Sequence, residues 1–168
     1  ERTFRLDTTS VAVVGAGNVA LDVARMLVRT PDEIAATDVP DRVLGAFRQS
    51  RVTYAYLIAR RGVAQAKFTA EELRTINGLP DVDIVVRPEE VALTEEDERQ
   101  IASNRQLTAN VAMMREWSKR PLRGKPRRIH VRFLRSPVRI LGASRVEGVM
   151  LERNAPLADG RVRGTGEF

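Results

Sequence analysis

The sequence contains no cysteine, a single histidine (His130) and few aromatic residues, which make up 5% of the chain. Without cysteine the protein can form no disulfide, no thiolate metal site, no iron–sulfur ligation and no thiol nucleophile. One histidine leaves little material for a histidine-rich metal site or a Ser-His-Asp triad. We therefore expect neither a metal site nor a catalytic residue in this chain. For His130 we expect a structural or surface role.

Long hydrophobic runs are also absent: no apolar run in the sequence approaches the roughly 18 residues that a membrane-spanning helix requires. The first ten residues, ERTFRLDTTS, contain neither an initiator methionine nor the apolar segment of a secretory leader. These absences predict a cytoplasmic protein without a membrane span. They also predict that the chain is an excised piece of a longer protein, in which residues 1–10 and 155–168 are connecting segments.

Lysine is scarce although the chain is basic. Only Lys67, Lys119 and Lys125 among the 28 basic residues are lysines, and the formal net charge is +6. A basic domain can bind nucleic acid, an acidic protein or a phosphorylated ligand. The sequence has no helix-turn-helix pattern, no aromatic-bearing sheet motif and no lysine cluster, which argues against a nucleic-acid partner.

Strand and helix patterns alternate along the first two thirds of the chain, as is typical of an α/β domain. Predicted strands cover residues 11–14, 53–59 and 84–86. One predicted helix begins at Asn18, and three more cover residues 41–50, 69–78 and 95–117, the last with a break near 103–104. From residue 129 the period changes to two, which predicts strands 129–134, 138–141 and 145–151 and then a loop-like tail. We predict one Rossmann-like three-layer α/β domain over residues 1–168, with a parallel sheet core plus an antiparallel β-meander.

The strongest local motif is VAVVGAGNVALDVAR, residues 11–25, which places a glycine turn between the first strand and the first helix. Gly15 permits the tight turn, Gly17 lets the backbone approach a pyrophosphate, and Ala20 lets the helix pack close to the strand. The helix N-terminus then offers free N–H groups and a positive dipole end to phosphates. In this context the motif predicts dinucleotide binding. Apolar residues 19, 20, 23, 24 and 27 share one face of the predicted helix.

An arginine pair follows the second predicted strand, where an NAD-binding domain has an acidic residue for the ribose 2′-hydroxyl. Arg60 and Arg61 occupy this position, and two guanidinium groups suit a 2′-phosphate, which favours NADP over NAD. Gly15 and Arg60 are 45 residues apart, whereas about 20 residues is usual. The excess predicts an insertion over residues 30–50.

Together these features resemble the NADP-binding domain of adrenodoxin reductase-type ferredoxin–NADP reductases, which are FAD-containing flavoproteins built on the glutathione reductase plan. The resemblance runs over almost the whole chain. It includes GAGNVALDVAR (15–25), PDEIAATDV (31–39), ARRGVAQAKFTAEELR (59–74), SPVRILG (136–142) and VEGVMLERN (146–154).

The resemblance implies roles for matching residues. Arg60 and Arg61 would hold the 2′-phosphate, and Glu72 would lie near the ribose and phosphate of NADP. Because Thr69 and Glu72 have capping-box spacing, Glu72 has a structural explanation as well. The glycine turn and the residues after it would line the pyrophosphate and its ribose: Gly15, Ala16, Gly17, Asn18 and Val19.

The resemblance also implies an activity for the parent enzyme, which passes hydride from NADPH to FAD and then electrons to a ferredoxin-type iron–sulfur protein. The chain has no second Gly-rich strand–turn–helix, so we expect it to bind NADP, to lack an FAD site and to be inactive alone. Expected partners are the parent's own FAD domain and an acidic ferredoxin, with Arg74, Arg105 and Arg115 as docking residues. The alternative is the NADPH domain of another flavoprotein of this plan, such as a glutamate synthase small-subunit type.

Overall fold

The computed structural model describes residues 5–157 and 159–168, so residues 1–4 of the predicted connecting segment lie outside the described part. The strands are β1 (Ser10–Val14), β2 (Tyr54–Ile58), β3 (Val82–Val86), β4 (Arg127–Arg132), β5 (Arg135–Leu141), β6 (Gly148–Pro156) and β7 (Val162–Gly164). The α-helices are α1 (Asn18–Leu27), α2 (Pro31–Ala35), α3 (Asp41–Arg48), α4 (Ala70–Asn77), α5 (Glu95–Ala102) and α6 (Arg105–Lys119). Short 3-10 turns cover Val63–Gln65 and Pro88–Val91.

Two sheets organise these elements. Strands β1, β2, β4 and β3 form a parallel sheet in that order, and β5, β6 and β7 form an antiparallel one. A cavity of about 370 Å³ lies between them and is lined by Tyr56 and Ile58 on one side and Val146, Val149 and Leu151 on the other. Helices, parallel sheet and antiparallel sheet thus form three layers, which confirms the predicted fold class.

The inner face of the parallel sheet holds the main core. Alternate residues of β2 and β4 are buried in one cluster that includes the single tryptophan, Trp117, on α6. The fully buried strand residues in this cluster include Ala55, Leu57, Ile129 and Val131.

The outer face of the same sheet is only half-buried and carries polar and aromatic side chains. The rings of Tyr56 and His130, which are paired across β2 and β4, stack with centroids 4.7 Å apart. Burial lowers the pKa of His130 from its usual 6.5, and the positive charges of Arg128, Arg132 and Arg87 lower it further. His130 is therefore neutral at pH 7 and has a structural position, as predicted.

The predicted insertion forms two helices, α2 and α3. Thr30 and Glu33 form a reciprocal capping box at the start of α2. The segment builds a second, smaller core, formed by Leu6, Ile34, Phe47 and Val52. The insertion, in which one helix was predicted over residues 41–50, is thus a packed pair of helices.

Strand β4 corrects the prediction of an antiparallel meander from residue 129. It lies inside the parallel sheet, between β2 and β3. Its alternating pattern arises because helices cover only its inner face, whereas parallel strands covered on both faces are continuously apolar. The three antiparallel strands are β5, β6 and β7, and the tail predicted as a loop contains β7 and the end of β6.

The buried face of α1 also differs from the predicted one. Leu21, Ala24 and Val28 are buried, whereas Val19 and Val23 are 80% and 43% exposed. The predicted apolar stripe was offset because alanine and valine occur around most of this helix. The predicted break between α5 and α6 is confirmed.

A buried carboxylate joins the two sheets where the chain passes from β4 to β5. Glu90 is 4% exposed and accepts hydrogen bonds from the Arg132 side chain and from the backbone N–H of Phe133. The Arg135 guanidinium lies 3.3 Å from the same carboxylate. Burial makes this charge dependent on its partners, because an unpaired ion in this position would be costly.

We expect Glu90→Ala to lower the free energy of unfolding by about 3–5 kcal/mol, because it leaves two arginines without their buried counterion. The neighbouring Glu89→Ala removes an acid whose side chain is 62% exposed and 3.8 Å from Arg87, and we expect a loss of at most about 1 kcal/mol. Urea unfolding of both variants and the wild type measures these differences. Equal losses in the two variants would contradict a bridging role for Glu90.

Candidate nucleotide-binding site

The glycine turn follows β1 at the carboxyl end of the parallel sheet. The Gly15 N–H donates to the Ile58 carbonyl at 2.9 Å, which binds the turn to the end of β2. A Cβ at Gly15 would lie 2.9 Å from the Cβ of Ala20, so only glycine permits this approach of strand and helix. The packing roles predicted for Gly15 and Ala20 thus agree with the geometry.

The N-terminus of α1 is open to solvent. Gly17 precedes the helix, no side chain caps it and no acidic residue lies in its first turn. A Cβ at Gly17 would meet no atom within 4 Å, so there is room for a ligand beside the backbone. Uncapped N–H groups and the helix dipole make this end a favourable anion site.

The arginine pair lies beside the glycine turn. A cleft of about 310 Å³ is lined by Val14, Gly15, Ala16, Gly17, Ile58, Arg60, Arg61, Gln65 and Lys67. Arg60 and Arg61 are exposed, and neither side chain forms an ion pair or hydrogen bond within residues 5–157 and 159–168. The fold therefore brings together the glycine turn and two unpaired guanidinium groups, which were predicted from separate parts of the sequence.

Lys67 is a third cation in this cleft, and it was not among the site residues predicted from the sequence. Its N–H donates to the Ala16 carbonyl at 2.8 Å, and its backbone forms an isolated parallel bridge with Gly17. The side chain is exposed and has no acidic partner in the described part of the chain. Lys67 lies within the quoted segment 59–74, but its place beside the glycine turn follows from the long-range backbone pairing.

Asn18 and Val19, two of the predicted site residues, lie near this cleft but do not line it. Asn18 accepts the Thr69 N–H at 2.9 Å through its Oδ1, and so ties α4 to the start of α1. Val19 points to solvent on the first turn of α1 and is 80% exposed. Their predicted contacts with the ligand stay predictions.

Glu72 takes only half of the predicted capping arrangement. Its N–H donates to the Thr69 hydroxyl at 3.3 Å, but the Thr69 N–H is occupied by Asn18. The half-buried Glu72 carboxylate has no hydrogen-bond partner among the described residues. This leaves the carboxylate available to a ligand, although it does not line the cleft.

The predicted docking arginines do not form one patch. Arg74 on α4 and Arg105 on α6 are exposed and lie on adjacent helices. Arg115 is half-buried and donates to the Val91 carbonyl at 3.3 Å. At 100° per residue it lies on the side of α6 opposite Gln106, which bonds the Phe68 carbonyl just before α4. The expectation that Arg115 extends the Arg74 surface is therefore not supported by its position.

Within residues 5–157 and 159–168, no group of three or more metal-ligating side chains is placed to hold a metal ion. In the same part of the chain no helix combines the length and the hydropathy needed to cross a membrane.

Comparison with known proteins finds similar sequences among the reductases named for NADPH. No protein-family model matches the chain. NADPH-ferredoxin reductase FprA of Mycobacterium tuberculosis is 39% identical over 159 residues, which cover 94% of this chain and 34% of FprA. The mitochondrial NADPH:adrenodoxin oxidoreductase of Arabidopsis thaliana is 34% identical over 173 residues, covering 95% of this chain and 35% of the relative.

The structural comparison agrees with these relatives. The solved structure of Mycobacterium tuberculosis FprA in complex with NADPH superimposes with a TM-score of 0.88 at 38% sequence identity, covering 96% of this chain and 36% of that one. The chain spans about a third of the length of the curated relatives it matches. The resemblance stated from the sequence motifs is thereby confirmed: the chain is homologous to one segment of the NADPH-ferredoxin and NADPH:adrenodoxin reductases.

Proposed function

We propose that this chain is the NADPH-binding domain of an FAD-dependent ferredoxin reductase. The observation that carries the proposal is the cleft in which the open glycine turn meets Arg60 and Arg61. Homology over nearly the whole chain to reductases named for NADPH supports it. The named relatives are ferredoxin and adrenodoxin reductases, which favours this function over the glutamate synthase alternative.

Each group of the cleft has a distinct part in binding. The free N–H groups at the start of α1 bind the pyrophosphate, and Gly17 leaves room for it. Arg60 and Arg61 bind the 2′-phosphate, which NAD lacks. Lys67, whose backbone pairs with Gly17, adds a compact positive charge on the pyrophosphate side.

The redox chemistry belongs to the cofactors, since NADPH supplies a hydride that FAD accepts and passes on as single electrons. The role of this chain is to bind and orient the donor. We propose that the FAD domain belongs to the parent protein, to which residues 1–10 and 155–168 connect, and that this domain alone is inactive. A cytoplasmic location stays a prediction.

The proposed electron acceptor is an acidic iron–sulfur protein of the ferredoxin type. Arg74 and Arg105 support this proposal because they are exposed on adjacent helices and have no ion-pair partner in the described residues. Such charges steer an acidic partner and raise its association rate at low salt.

Replacing Arg60 and Arg61 together by alanine tests the proposed cofactor preference. We expect NADP⁺ affinity to fall on the order of a hundredfold, since two charge-assisted hydrogen bonds are lost, and NAD⁺ affinity to stay unchanged. Isothermal titration calorimetry with both nucleotides measures this. The control is Arg139→Ala with Arg145→Ala, which removes the same charge from exposed residues of the antiparallel hairpin. A wild type that binds neither nucleotide, or both equally, would contradict the proposal.

Lys67→Ala gives a different expected pattern. Because Lys67 pairs with the turn at Gly17, we expect NADP⁺ and NAD⁺ to lose affinity by the same factor, about threefold to tenfold. Binding of 2′-AMP, which has no pyrophosphate, should not change. Lys119→Ala on α6 is the control for the loss of one lysine. A loss confined to NADP⁺ and 2′-AMP would instead place Lys67 with the arginine pair.

Charge reversal at Arg74 tests the docking proposal in the FAD-loaded parent protein. Arg74→Glu should slow ferredoxin reduction at low salt by about tenfold, because steering depends on opposite charges, and the difference should shrink as salt is added. NADPH oxidation by ferricyanide should be unchanged. Arg48→Glu makes the same charge change on α3, away from α4. Equal loss with both acceptors would contradict a docking role.

A further inference from the structure

The turn that carries the arginine pair is held by its backbone carbonyls. The Ala59 carbonyl accepts the Arg135 N–H at 3.0 Å, and the Arg61 carbonyl accepts the Leu134 N–H at 3.2 Å. The Arg60 carbonyl accepts the side-chain amide of Asn154 at 2.9 Å. Three successive carbonyls are thus bound by residues of the β4–β5 connection, of the start of β5 and of β6, all far away in the sequence.

Asn154 is the one side chain among these donors. It is 3% exposed, and its Nδ2 also donates to the Ser136 hydroxyl at 2.8 Å, which fixes the orientation of the amide. Its backbone N–H donates to the Leu134 carbonyl at 2.9 Å. Asn154 therefore binds the Arg60 turn to the antiparallel sheet through a fully partnered, buried amide.

Leu134 completes the support. Its φ of 54° lies in the left-handed region, which is unfavourable for a side chain of this size. The Leu134 side chain packs toward Gly62, where a Cβ would lie 3.9 Å from its Cδ2. The strained residue is held in place because both its N–H and its carbonyl are bonded within this network.

We propose that Asn154 is a positioning residue that sets the preference for NADP⁺ over NAD⁺. Asn154 acts on the ligand through the backbone of Arg60. This proposal rests on the proposed function of the arginine pair. Within residues 5–157 and 159–168 the side chains of Arg60 and Arg61 form no ion pair or hydrogen bond, so only the backbone fixes the point from which each guanidinium group reaches out. Two guanidinium groups that meet one phosphate need fixed origins, because bidentate contacts tolerate little displacement.

Asn154→Leu tests this, since leucine has a similar volume and cannot donate to Arg60. Asn110→Leu is the matched control, because Asn110 is 2% exposed and its Nδ2 donates to the Phe68 carbonyl at 2.6 Å. Thermal unfolding establishes that each variant is folded, and calorimetry gives the affinities for NADP⁺ and NAD⁺. We expect Asn154→Leu to reduce the NADP⁺/NAD⁺ affinity ratio about tenfold, and Asn110→Leu to leave the ratio unchanged.

Ser136→Ala keeps the experiment decisive if Asn154→Leu does not fold. It removes the partner that orients the Asn154 amide, and should lower the same ratio by about threefold. Combined with Arg60→Ala and Arg61→Ala, either change should have no further effect on NADP⁺ binding. An unchanged ratio in a folded variant would overturn the positioning role, whereas a wild type without NADP⁺ preference would overturn the proposed function itself.

Discussion

The passage of the chain from the parallel sheet to the antiparallel sheet is the constraint on which the rest of the structure depends. Only Phe133 and Leu134 separate β4 from β5, so the chain passes almost directly from one sheet to the other. The buried Glu90 carboxylate binds this connection from one side, and the carbonyls of Ala59 and Arg61 bind it from the other. A short connection of this kind transmits the position of one sheet to the other, because neither end has free length to absorb a shift.

This junction lies at the carboxyl end of the parallel strands, the end at which open α/β sheets bind their ligands. The glycine turn after β1 and the arginine pair after β2 reach the same edge because β1 and β2 are parallel neighbours. The antiparallel sheet and the connection before it bind that edge through the carbonyls of Ala59, Arg60 and Arg61. The antiparallel sheet thus supports the backbone of the arginine pair, while the residues that line the cleft lie in or after β1 and β2.

Local patterns were sufficient to predict much of this. The glycine turn, the break between α5 and α6 and the arginine pair each depend on neighbouring residues. The prediction of β4 was wrong because Arg128, His130 and Arg132 alternate with buried residues, a pattern usual for half-exposed antiparallel strands. Three residues were missed because their partners are far away in the sequence. Glu90 bonds a residue 42 positions away and Asn154 one that is 94 positions away. Lys67 reaches the glycine turn through a backbone bridge, which no side-chain pattern encodes.

Among the described residues, the side chains of Arg60 and Arg61 take no part in holding their own turn, which is bonded through its backbone groups. Under the proposed function, folding depends on the backbone atoms of these two residues and recognition on their side chains. Substitutions at these positions leave the turn's hydrogen bonds in place, so natural variation or directed evolution can exchange the side chains with little loss of stability. The residues that cannot vary freely are those of the supporting network, although none of them needs to touch a ligand.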